Sequence, residues 1–365
     1  MRMLFHVPRS IDPAARTGFH VRVPRMVRGF QALGYEVDLI SGDASERRRL
    51  IAGAKKAILS GIHYDFLYAE NATIPTLLTG KNHLPLHPFL DFGFFRFCKH
   101  NKLKIGLFYR DIYWKFPEFA RKVTFFKRIV NRAFHFIDLR NYSRLCDVVY
   151  LPSREMEAQL PVIMGGAVRP LPPGIEKAGP PRLPREGKQG LDIFYVGGIG
   201  PFYDLGLLFR TVATTPFVSL TVCCRKADWD LWKGDYEAQP CERITVVHAS
   251  GADLAPYMIK ADLGILFLEP QSWRDFAMPI KLFEYLQYSL PVLGTKGTAA
   301  GTFIEENGVG WAIEYSEAAL VKLLGEISSN PALLDEKTRA ARTASDRHSW
   351  RERAATVAHD LMGAS

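Results

Sequence analysis

The sequence predicts an α/β protein built from two doubly wound domains, each a parallel sheet with helices on both faces. Three observations carry this reading. Apolar runs of four to six residues recur between helical patterns, as strands buried on both faces do. The alternation stops at a stretch rich in proline and glycine, then restarts. At 365 residues the chain is long enough to give each half its own core.

In the first half, residues 3–7, 36–40, 64–68, 104–108 and 147–151 read as strands, and residues 21–33 as a helix stopped by Gly34. Between Phe119 and Leu145, Phe119, Val123, Phe126, Val130, Ala133 and Ile137 fall on one helical face. Arg121, Lys122, Arg128, Arg132 and Arg140 lie away from it. From Pro170 to Gly190 there are six prolines and four glycines, too many to continue a sheet or helix. Residues 171–190 are therefore expected to link a domain at 1–170 to one at 191–345. In the second, residues 192–196, 219–223, 244–248, 263–266, 291–294 and 311–313 read as strands. A last helix, within 346–365, is expected to cross back over the first domain.

A hydrophobic content of 47% with mixed charge excludes a disordered chain. No apolar run approaches the ~18 residues of a membrane span, and no cleavable leader is expected after Met1. The five cysteines form no CxxC pair, so reduced thiols and a cytoplasmic setting are expected. The net charge of +9 is confined to one window: residues 96–132 hold eleven Lys/Arg against Asp111 and Glu118. Such a window implies an acidic partner surface. An anionic inner membrane face meeting residues 96–145 is the sharper expectation, with Phe-rich 84–97 adding apolar contact. A helix packed on its sheet with a solvated basic face fits the same pattern. No nucleic-acid-binding motif is visible.

Open α/β sheets bind ligands beyond the carboxyl ends of their strands, and two facing domains leave a cleft there. After 192–196 come Gly197, Gly198 and Gly200, which let backbone approach a phosphate or sugar, or merely make a tight turn. Arg225 and Lys226 follow the next strand, as diphosphate contacts or a solvated pair. Ser250 and Asp253 follow the third, where a base or ribose contact and an ordinary turn look alike. Met278 and Pro279 lead into a helix with Lys281 in its first turn and Glu284 three residues on. There the amine and the helix N-terminus suit a diphosphate and the carboxylate suits ribose hydroxyls. An ordinary surface ion pair has the same spacing.

In the first half, Arg110 and Asp111 end an apolar strand and are ringed by aromatics, a setting for a catalytic base or for a structural ion pair. Glu70 is placed likewise after its strand. Gly18, His20 and Arg22 are expected in a loop that meets substrate. Asp228 and Asp230 are read as first-turn helix acids in preference to metal ligands.

On Met278-Pro279-x-Lys281-Leu282-x-Glu284-Tyr285 and Leu290-Pro291-Val292, the chain resembles bacterial glycosyltransferases of the GT-B architecture that build polysaccharides and glycolipids. The resemblance implies that Lys281 contacts a donor diphosphate, Glu284 the ribose, Gly197 and Gly198 the transferred sugar, and Arg225 the diphosphate. It places Asp111 where an acceptor-side catalytic residue often stands. The implied substrates are a UDP-, GDP- or dTDP-sugar and a glycan or lipid-diphosphate-linked acceptor, with no cofactor and no obligatory metal. Many members carry a second Glu eight residues before the ribose-binding one; here that residue is Phe276, beside Asp275. Retention and inversion both stay open, and a base at Asp111 makes inversion the natural course. The same architecture also serves sugar-nucleotide epimerases and non-catalytic nucleotide-sugar-binding subunits.

Overall fold

The computed structural model describes residues 1–12, 18–80, 83–116, 118, 124–176, 179–180, 189–237 and 241–363. The chain forms two compact units, Met1–Gly174 with Trp350–Ser365, and Ile175–Ser349. Half of the expected linker, 177–178 and 181–188, lies outside the described residues.

Unit one is a six-stranded parallel sheet of β1 (Arg2–His6), β2 (Glu36–Ile40), β3 (Phe66–Glu70), β4 (Lys104–Phe108), β5 (Val148–Leu151) and β6 (Ala167–Pro170), ordered β2-β1-β3-β4-β5-β6. Every residue of β3 and β5 is buried, which explains their unbroken apolar runs. The strand expected at 64–68 is shifted toward the C-terminus. Tyr64 and Asp65 stay outside it because the Tyr64 hydroxyl binds Asp38 and the Asp65 carboxylate accepts from the Arg2 amide. As a result Glu70 ends the strand instead of following it. The sequence reading has no counterpart for β6, a mostly exposed edge that ends on a proline.

Helix α1 spans Gly18–Ala32, so Gly18, His20 and Arg22 belong to its first turns and not to a loop. Helix α2 (Ala44–Leu59) opens on a capping box, with Asp43 accepting from the Ser45 and Glu46 amides and Glu46 accepting from the Asp43 amide. Helix α3 is Leu90–His100 and α4 is Phe125–Leu145; Phe119, Arg121, Lys122 and Val123 lie outside the described residues. The buried face of α4 is His135, Asp138, Leu139, Tyr142 and Leu145. The expected apolar face is the wrong one: Phe126 is 74% exposed and Ile137 is exposed as well. Polar anchors turn the helix, because Asp138 accepts from the Thr76 amide and the Tyr142 hydroxyl bonds that of Thr76.

Unit two is a second six-stranded parallel sheet: β7 (Leu191–Val196), β8 (Val218–Cys223), β9 (Ile244–Val247), β10 (Leu263–Leu266), β11 (Val292–Thr295) and β12 (Gly310–Ile313), ordered β12-β11-β10-β7-β8-β9. Side chains of β7 alternate between its faces: Leu191, Ile193 and Tyr195 join one core, Phe194 and Val196 the other. Its helices are α5 (Gly206–Thr214), α6 (Lys226–Trp232), α7 (Gly234–Glu237), α8 (Ala255–Lys260), α9 (Ile280–Gln287), α10 (Ala299–Glu306), α11 (Glu317–Ser329) and α12 (Ala332–Arg347).

The final helix, α13 (Trp350–Met362), belongs to unit one, where it packs on α1, β3 and β4. Trp350, Val357 and Leu361 are buried there, each contributing about 1.5–3 kcal/mol. Glycine permits the close approach to α1: a Cβ on Gly29 would stand 2.6 Å from the Trp350 carbonyl oxygen. Among the described residues no helix is long and apolar enough to cross a membrane.

Candidate active site

Each sheet has one switch point, where successive crossovers leave in opposite directions. In unit two it lies between β7 and β10, and Tyr285 of α9 occupies it. The Tyr285 hydroxyl accepts from the Val196 amide at 3.0 Å and lies 3.3 Å from the carbonyl oxygens of Phe194 and Ile265. Gly264 makes room, since a Cβ there would lie 2.7 Å from the Tyr285 ring. This buried anchor sets where α9 begins. Pro279 caps the helix with extended backbone and half-buried Met278 packs on the core beside it. Lys281 and Glu284 follow, half-buried and joined at 2.7 Å. The Lys281 charge also reaches the end of β8, where burial raises the Cys223 pKa and Lys281 opposes that rise.

The other expected donor contacts are arranged differently. The Gly197 amide donates to the Cys223 carbonyl at 3.0 Å, and the Gly198 carbonyl accepts from the Tyr195 hydroxyl at 2.6 Å. A Cβ on Gly197 would meet that hydroxyl at 2.7 Å. Gly200 has φ +106°, and a Cβ there would lie 2.7 Å from the Trp232 indole nitrogen. The chain's own aromatics thus require both glycines. Arg225 caps α6 and pairs with Asp228 at 2.8 Å, while Lys226 pairs with Asp230 at 2.7 Å. The two acids are neutralised by these neighbours, and among the described residues no cluster of three His, Cys, Asp or Glu is set to hold a metal. Ser250 precedes a 3-10 turn at Gly251–Leu254, and Asp253 lies exposed within it.

Sequence reasoning missed Arg274, which is buried after β10. Its guanidinium donates to the carbonyls of Glu269 and Phe202 and lies over the Trp273 and Tyr203 rings. It thereby ties the turn after Gly198 to the loop that runs into Met278. An arginine between aromatics, in Trp273-Arg274-Asp275-Phe276, was the available signal. Phe276 is buried as well.

In unit one the switch point lies between β1 and β3. Arg22, Glu70, Arg110 and Asp111 gather at this end of the sheet. Glu70 is fully buried: Oε1 accepts from Arg22 Nε and the Tyr68 hydroxyl, and Oε2 from an Arg110 Nη, each at 3.1 Å. With both oxygens occupied, Glu70 orients its arginines and is poorly placed to take a proton itself. The Asn71 side chain accepts from the Arg110 amide at 2.8 Å and so holds the backbone that presents Asp111. Burial raises the Asp111 pKa; the Thr73 hydroxyl, Arg110 and the Tyr113 backbone oppose it. Asp111 Oδ1 has no hydrogen-bond partner. A buried carboxylate with one free oxygen suits a proton acceptor. His20 Nδ1 accepts from the Asp12 amide; burial, then Arg9 and Arg110, lower its pKa, and the Asp12 charge opposes them. Gly18 opens α1.

Comparison with solved structures gives the class of architecture. HepE from Anabaena, in complex with UDP and glucose, matches with a TM-score of 0.62 over 99% of both chains at 12% identity. A glycosyltransferase from Rickettsia africae matches with a TM-score of 0.59 over 100% of both at 13% identity. The chain therefore has the GT-B fold. Among curated proteins it is similar to TuaH of Bacillus subtilis, a putative teichuronic acid biosynthesis glycosyltransferase. The two are 28% identical over 130 residues, 33% of this chain and 30% of TuaH. No family model matches the chain.

Proposed function

We propose that the protein is a glycosyltransferase that moves a sugar from a UDP-sugar to a hydroxyl of a glycan or lipid-linked acceptor in cell-surface polysaccharide assembly. One observation carries the reading: Lys281 and Glu284 open a helix that Tyr285 anchors at the switch point of unit two. The fold is one whose example HepE is described with UDP and with UDP-glucose. Binding exchanges the Lys281–Glu284 pair for ligand. The Lys281 amine and the N-terminus of α9 meet the diphosphate, and Glu284 accepts from the ribose hydroxyls. Arg225, free to swing from Asp228, adds charge, so no obligatory metal is expected.

Asp111 is the proposed base. The acceptor oxygen attacks the anomeric carbon, the bond to the UDP oxygen breaks, and the acceptor proton passes to Asp111 Oδ1, with inversion. Thr73 holds that carboxylate through Oδ2, and Arg110, itself oriented by Glu70, favours its charged form. The site is expected at the cytoplasmic face of the membrane. Supporting this, Phe125, Phe126 and Ile129 are exposed on α4 beside Lys127, Arg128 and Arg132.

The test is release of UDP from a panel of UDP-sugars, with calorimetry of UDP binding. Lys281→Ala is expected to weaken UDP by about tenfold or more, as loss of a charge-assisted contact implies. Unchanged affinity would place the donor elsewhere. Asp111→Asn is expected to abolish transfer while UDP still binds, and full transfer by that variant would remove the base.

A further inference from the structure

The proposed reaction leaves one feature of unit one unused. Arg22 is only 2% exposed, and its Nε is spent on Glu70, yet neither Nη has a hydrogen-bond partner. The Nε of Arg110 is also buried and unpartnered. Native interiors pair nearly all such groups, and each one left unmade is destabilising. Here three of them belong to two guanidiniums that sit on the two oxygens of a single carboxylate.

Their place and charge agree. They stand beyond the carboxyl ends of β3 and β4, next to the switch point, where an open sheet receives ligands. Arg353 is buried close enough for its pKa to feel Arg22, and its Nε is held by the carbonyls of Pro172 and Pro173. Arg353 is also coupled to Glu352, so the three arginines stand with the carboxylates of Glu70, Asp111 and Glu352. The aromatic faces of Phe108 and Phe19 lie under the cations, with Arg22 3.5 Å from the Phe108 ring centre and Arg110 5.1 Å from that of Phe19. An aliphatic ligand would leave the unpartnered N–H groups of Arg22 and Arg110 unmade. A phosphate supplies several acceptor oxygens and the negative charge together.

We infer that Arg22 and Arg110 form a phosphate-binding subsite in unit one that takes a phosphoester or diphosphate carried by the acceptor. The inference rests on the transferase reading for the word acceptor, but the anion site itself does not. Asp111 follows Arg110 directly, so a phosphate held there would lie beside the proposed base.

Calorimetry on the full chain with UDP at saturation tests this, using inorganic pyrophosphate against sodium chloride of equal ionic strength. Wild type is expected to bind pyrophosphate while UDP is bound. Arg22→Gln and Arg110→Gln should each weaken it about tenfold or more, and Lys281→Ala should leave it unchanged. Should Arg22→Gln fail to fold, Arg110→Gln, whose side chain is partly exposed, decides. Pyrophosphate affinity unmoved by both changes, or lost only with Lys281→Ala, overturns the subsite. Failure of UDP to bind, with Arg22-dependent pyrophosphate binding intact, would sink the transferase reading and leave the subsite standing. Farnesyl diphosphate separates the sources: tighter Arg22-dependent binding than pyrophosphate points to a lipid-linked phosphate, and equal affinity to a soluble one.

Discussion

Thr73 Oγ1 donates to Asp111 Oδ2 at 2.9 Å, while Asp111 Oδ1 carries no partner. One oxygen is thereby fixed and the other left for chemistry. Burial raises the Asp111 pKa and the Thr73 hydroxyl lowers it, so the hydroxyl sets how much of the base is ionised at a given pH.

Thr73→Val is expected to raise the Asp111 pKa further, because the hydroxyl no longer stabilises the ionised carboxylate. A base works only when ionised, so the acid limb of kcat/KM should move to higher pH. The loss of rate should be larger at pH 6 than at pH 8, and Thr73→Ser should restore the profile. A variant slowed equally at both pH values would make Thr73 a packing residue only.

Asp138 offers a test of stability. Burial, opposed mainly by the Thr76 amide and hydroxyl, pushes its pKa up to about 7. The unfolded carboxyl titrates near 3.8, so between these values the folded state binds more protons and loses stability as pH rises. The full loss is on the order of 4 kcal/mol. His135 acts oppositely: burial takes it down to about 3, and its contribution is lost as pH falls below about 6.5. Asp138→Asn should therefore gain stability relative to wild type as pH rises from 5 to 8, read as the difference in urea midpoints. An equal difference at both pH values would contradict the buried-carboxylate account.

Strand positions were legible because apolar runs report burial on both faces, and the exceptions have local causes. β3 slid because Tyr64 and Asp65 are engaged by Asp38 and Arg2. β6 carried no apolar signal, since Arg169 and Pro170 are exposed on the sheet edge. The face of α4 was misread because its buried side is held by Asp138 and His135, which no hydrophobic pattern marks. At the site, Lys281 and Glu284 were visible as a local spacing. The joining of Arg22, Glu70 and Arg110 spans residues far apart in sequence and needs the sheet order to appear. Thr73 acts through one tertiary hydrogen bond, and Arg274 through its reach to the distant Phe202 carbonyl, which spacing does not encode.

The exposed face of α4 bears on where the protein works. Phe125 and Phe126 are 69% and 74% exposed, with Leu84, Leu86 and Phe89 also exposed. Anionic vesicles should sediment the protein at low salt and release it at high salt, because each basic residue near the surface contributes about 1 kcal/mol that salt screens. Phe125→Ser with Phe126→Ser should reduce binding without altering the salt dependence, since only apolar contact is lost. Binding that ignores lipid charge would remove the membrane surface from the proposal.

Arg274 predicts a split between donor and nucleotide. Its guanidinium clamps the Phe202 carbonyl, in the turn after Gly198, to the Glu269 carbonyl of the loop leading to Met278. The turn is the proposed neighbour of the transferred sugar, and Lys281 of the diphosphate. Arg274→Ala frees the turn and leaves two carbonyls unpaired, but α9 keeps its own anchor through Tyr285. KM for the UDP-sugar should therefore rise by about tenfold, while the Kd for UDP changes by less than about twofold. Lysine reaches one carbonyl where the planar fork reaches two, so Arg274→Lys should recover only part of the loss. Equal weakening of UDP and UDP-sugar would mean that Arg274 supports the whole of unit two and has no special tie to the sugar end.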